Sequence, residues 1–176
     1  MKKLIVLFIL LTFLGCNKPP EVIPPPGTVT VPPEVSKILQ AALNTGCSVG
    51  KVYAAVDSYL PYIRPFVPAN IMSTAVPILN TFHNALNLYM AAVITWSDTK
   101  TAPQDFDALK VNLLKVRDEA MPLIQQIIAL ATGKPKGVVE AAANTKAVVE
   151  AKAMFSCSID EFKTMALQIK DLGPIT

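Results

Sequence analysis

Residues 136–172 read KGVVEAAANTKAVVEAKAMFSCSIDEFKTMALQIKDL. Val138, Ala141, Ala142, Val148, Ala151, Phe155, Ile159, Phe162, Ala166, Ile169 and Leu172 keep one helical phase throughout, so they share one side of a helix. A strand would instead alternate apolar and polar residues. The spacing therefore predicts one long helix over 136–172, stopped by Gly173-Pro174. Ser158 followed by Glu161 has the spacing of a capping box and offers an alternative, a fresh helix start at that point.

Working back along the chain, Gly133-Lys134-Pro135 is a break. Before it, a helix is predicted over 103–132, with Thr101 and Gln104 as its capping box, Pro103 near its start and Pro122 interrupting its middle. A third helix covers 70–96, with Pro77 inside it. A fourth covers 48–63, where Val49, Val52, Tyr53, Val56, Tyr59, Leu60 and Ile63 recur at helical spacing; Pro61, Pro65 and Pro68 bend or end it. A fifth covers 33–44 and stops at Gly46. The expected fold class is all-α: residues 34–176 form an antiparallel bundle of four to five helices. Composition agrees, because 7 Gly in 176 residues are too few for the many tight turns of a sandwich or barrel.

The other end of the chain is different in kind. Met1-Lys2-Lys3 is a short basic start, and LIVLFILLTFLG, residues 4–15, is an apolar run. This is the pattern of a secretory signal, and it is shorter than the roughly 20 apolar residues of a membrane span. It ends in Leu14-Gly15-Cys16, which resembles the lipobox of bacterial lipoproteins, with Phe13 and Leu14 where that pattern prefers Leu and a smaller residue. The resemblance covers about the first 16 residues. It implies a leader over 1–15 and acylation of Cys16, which becomes the mature N-terminus. Several acyl chains suffice for stable anchoring where one does not. In that class Asp after the cysteine retains a protein at the inner membrane, so Asn17 implies the outer membrane. Residues 17–33, NKPPEVIPPPGTVTVPP, contain seven prolines and read as an extended tether.

With Cys16 assigned to lipid, Cys47 and Cys157 remain. In an exported chain an even pair of thiols is expected to form a disulfide. No metal site is expected from two Cys and the single His83. Net charge is +3 over the whole chain and +1 without Lys2 and Lys3, with no basic block, so nucleic acid is not an expected partner.

Two stretches qualify as binding surfaces. Residues 65–97 contain no Asp, Glu, Lys or Arg. Within them Asn80, His83, Asn84 and Asn87 recur near one side of the helix. They suit a neutral face for a partner or the polar contacts of a pocket; as buried residues of a central helix they would need hydrogen-bond partners. The second is YLPYIRPFVP, where Tyr59, Tyr62, Arg64 and Phe66 combine aromatics and a cation on a proline-stiffened corner. Packing at a bundle corner is the competing explanation. No nucleophile elbow, His-metal pair, phosphate loop or dinucleotide glycine pattern is present, and the acidic residues fit solvated helix faces. The expectation is a non-enzyme without cofactor, held to the membrane by its lipid and acting by contact with an envelope protein in a structural, accessory or exclusion role. A carrier or sensor of a small apolar ligand is the alternative, and an unrecognised enzyme a lesser one.

Overall fold

Helix α1 runs over Pro33–Ile63 and a single 3-10 turn, Arg64–Phe66, follows it. Then come α2 (Ala69–Thr99), α3 (Phe106–Ala129), α4 (Lys136–Glu150) and α5 (Ile159–Leu172). This computed structural model describes residues 33–151 and 156–175. The leader, Cys16 and nearly all of the proline-rich tether lie outside the described residues. Among the described residues there is no strand, and the fold is an all-α bundle of five helices.

The helices alternate in direction. Trp96 near the end of α2 meets Phe106 at the start of α3, ring centroids 4.9 Å apart, and α3 doubles back along α2 in the most extensive contact of the fold. Helix α4 runs against α1: Gly137 lies by Tyr62, Thr145 bonds the Ala55 carbonyl, and Val149 borders Val49 and Val52. Helix α5 runs with α1 and against α2. Phe162 packs on Gly46 and Met165 on Gly50, while Lys163, Ile169 and Ile175 meet Asp98, His83 and Asn80.

Three expectations are corrected. The stretch 136–172 holds two helices, α4 and α5, which run in opposite directions along α1. The capping box is the signal that marks the restart: Ser158 Oγ accepts from the Glu161 N–H at 3.2 Å, and Glu161 Oε2 accepts from the Ser158 N–H at 2.8 Å. Reversal lets both halves of the apolar stripe reach α1, on different sides. Next, Gly46 does not stop a helix. It lies within α1 as a contact point: a Cβ there would overlap the Phe162 ring and come within 3.2 Å of Tyr89. Finally, the Thr101–Gln104 box is not formed. Thr101 Oγ1 turns back to the Thr99 carbonyl, and α3 starts at Phe106 with no side-chain cap.

The prolines are absorbed. Pro77 sits inside α2 and Pro122 inside α3, both exposed, so the carbonyls they leave free reach water. Pro61 lies in the last turn of α1, and Pro68 is the N-cap of α2. The core is built on α2, whose Leu79, Phe82, Leu86, Tyr89 and Val93 are fully buried against Tyr53, Ile63, Leu113, Ile124 and Phe162. Cys47 and Cys157 form a disulfide, Cα atoms 6.4 Å apart, joining α1 to the segment that precedes α5.

Candidate binding surfaces

Two polar residues of α2, Asn80 and His83, are spent on the C-terminal segment. Asn80 Nδ2 donates to the Ile175 carbonyl at 3.0 Å, and Asn80 Oδ1 accepts from the Ile175 N–H at 2.7 Å. One side-chain amide thus pairs with one residue's backbone as a neighbouring strand would. His83 is buried, and its Nε2 lies 2.8 Å from the Ile169 carbonyl. A carbonyl can only accept, so Nε2 carries the proton. The carbonyl belongs to the last turn of α5, where a helix has no partner of its own to offer. The same nitrogen lies 3.0 Å from the Asn87 amide. Asn84 is exposed. Asn80 and His83 therefore do satisfy polar groups, but the groups are backbone in the last turn of α5 and just beyond it.

Tyr53 stacks on His83, centroids 5.1 Å apart, and meets Phe82 edge-on at 5.6 Å. Burial first, then the charge of Asp57, holds the Tyr53 phenol above its ordinary range. Burial also pushes the Asp57 carboxyl up, with His83 working against it. The Tyr89 phenol donates to the Ala42 carbonyl at 3.0 Å, and burial pushes its pKa to about 12 against the opposing hydrogen bond from Thr45.

The YLPYIRPFVP corner does not form one patch. Tyr59 is 2% exposed and belongs to the core, whereas Tyr62 is 57% exposed. Arg64 and Phe66 are exposed on the 3-10 turn, and Lys134 Nζ lies over the Phe66 ring at 5.2 Å. Among the described residues three buried side-chain polar atoms have no partner: Tyr53 Oη, Tyr59 Oη and Trp96 Nε1. Each such orphan costs about 1–3 kcal/mol. Sequence reasoning missed them, because an orphaned hydroxyl depends on what the fold leaves beside it.

Among the described residues there is no cluster of three or more His, Cys, Asp or Glu able to hold a metal ion. No helix of the described residues is long and apolar enough to cross a membrane. Comparison with known protein families, curated proteins and solved structures finds no match.

Proposed function

We propose that this chain is an exported lipoprotein, anchored through acylated Cys16, most consistently at the outer membrane given Asn17. Its helical domain acts by protein contact in the cell envelope. The observation that carries the proposal is Leu14-Gly15-Cys16 at the end of a basic-then-apolar leader, followed at once by a proline-rich tether. The Cys47–Cys157 disulfide supports it, because such bonds persist in oxidising compartments. The contact role is supported by what the surface offers. Tyr62, Phe66 and Leu88 are large apolar side chains left in solvent, and Thr81, Asn84, Leu88 and Ala91 give α2 an exposed side without charge. The one histidine, meanwhile, is engaged by the Ile169 carbonyl.

Two measurements test the two halves. The wild-type protein is expected in the membrane fraction with an acyl mass on its N-terminal peptide; Cys16→Ser should lose both. Retention of the acyl mass by Cys16→Ser would refute the anchor. For the contact role, a photocrosslinking residue is placed at Tyr62 and, as control, at Lys110 on the exposed side of α3. A discrete adduct from position 62 and none from 110 is expected in the native envelope. Equal labelling from both sites, or none from either, would remove the contact role.

A further inference from the structure

We propose that the cleft between α1, the start of α2 and the C-terminal segment binds a short apolar peptide with free ends, its ammonium against Asp57 and its carboxylate against Arg64. The cleft measures about 350 Å³, at the lower end of the range of small-molecule sites. Its walls are apolar: Leu60 and Pro61 from α1, Met72 from α2, and Pro174 and Ile175 from the segment after α5. That last wall is held in place, because the Asn80 amide bonds both the N–H and the carbonyl of Ile175. Asp57 and Arg64 are the two ionised residues of the lining.

The two charges select the ligand class. Among the described residues neither side chain has a hydrogen bond or an ion pair, so the two do not bridge each other. Asp57 is half-buried, and burial works against its ionised form, with His83 offsetting part of that. An ammonium beside it would supply the partner it lacks. Arg64 on the same cleft repels a simple cation, and Asp57 repels a simple anion, so a molecule carrying both charges fits best. Length narrows the choice further. Seven positions put the two residues on one side of α1 and about 10 Å apart along its axis. The Arg64 side chain takes up part of that distance, and an extended peptide of two residues, roughly 7 Å, takes up the rest. In two other clefts the charges are already spent: Arg117 pairs with Asp118 at 2.7 Å, and Glu161 caps α5 through Ser158. This inference is independent of the anchor and of any envelope partner.

Leucyl-leucine is the probe, titrated into the purified full chain by calorimetry. Two capped forms accompany it: N-acetyl-leucyl-leucine, which lacks the ammonium, and leucyl-leucine amide, which lacks the carboxylate. Saturable one-to-one binding of the free peptide is expected, weakened about tenfold or more in either capped form, the worth of one charge-assisted hydrogen bond. Asp57→Asn should weaken the free peptide by a similar factor and leave the N-acetyl form, which has no ammonium to lose, unchanged. Arg64→Gln should act in the same way on the carboxylate and the amide form. Neither substitution removes a hydrogen bond or ion pair among the described residues, so both variants are expected to melt no lower than wild type. Absence of saturable binding, or equal binding of free and capped peptides by the wild type, would overturn the site. Equal affinity in wild type and Asp57→Asn would overturn the role of Asp57, and free leucine binding as tightly as leucyl-leucine would overturn the assignment to a peptide.

Discussion

Helices α4 and α5 come from one unbroken apolar stripe, lie on the same helix α1, and are held in different ways. Helix α5 is fastened along its whole length. A disulfide precedes it, a capping box starts it, and Phe162 is wedged on Gly46. Lys163 meets Asp98 at 2.9 Å, and His83 and Asn80 take the backbone at its far end. Helix α4 buries small side chains, Val138, Ala142 and Thr145, where α5 buries the larger Phe162 and Ile169, and its Thr145 hydroxyl reaches the Ala55 carbonyl at a long 3.4 Å. Its two ion pairs, Lys136–Glu140 and Lys146–Glu150, are local and exposed. The stripe decides where a helix lies; specific contacts decide how tightly.

The largest test of that contrast removes the disulfide. Cys47→Ser with Cys157→Ser frees a loop spanning 110 residues, and loop-closure entropy puts the loss at about 4–5 kcal/mol. Chemical denaturation of the variant against wild type measures it. Hydrogen exchange should then show α5 losing protection well before the α2–α3 pair. Loss spread evenly over the bundle would break the contrast.

The second test is one substitution at two sites. Gly46→Ala places a methyl in the Phe162 ring and should cost about 1–3 kcal/mol from overpacking. Gly137→Ala places it in open space on an exposed helix position and should gain about 0.5–1 kcal/mol. Opposite signs in the two melting temperatures sharpen the comparison; the same sign would break it.

These glycines also mark how far the fold was legible. The all-α class follows from periodicity, and the ends of α2 fall within three residues of the 70–96 expected, but the division into helices does not: 33–44 and 48–63 are one helix, α1, and 136–172 holds two. The disulfide follows from the count of thiols once Cys16 is set aside. Gly46 was misread because a glycine that ends a helix and one that admits a neighbouring ring look alike in sequence; only the partner across the contact, Phe162, tells them apart. Residues 136–172 were read as one helix because a reversal keeps the apolar phase intact, and the Ser158–Glu161 box was the weaker signal that proved right. Asn80 and His83 were legible as polar residues needing partners. Which partners, the backbone of Ile169 and Ile175, required the fold, since both lie more than 80 positions away.

The smallest effect separates the two helix starts. Glu161 accepts from the Ser158 N–H at 2.8 Å and its hydroxyl at 2.9 Å, and these bonds, with Lys51 adding to them, hold its carboxyl below the ordinary 4.5. A carboxyl lowered in the folded state contributes stability that is complete above its unfolded pKa and is lost as pH falls through the folded one. Glu161→Ala should therefore lower the melting temperature at pH 7, and the deficit should shrink as the pH is taken below 4.5. A deficit unchanged by acid would mean that the side chain acts by packing rather than by charge. At the α4 start, Glu140 caps nothing and meets only Lys136 across one exposed turn. Glu140→Ala should change stability by no more than about 0.5 kcal/mol. If it cost as much as Glu161→Ala, α4 would be fastened more firmly at its N-terminus than its contacts with α1 account for.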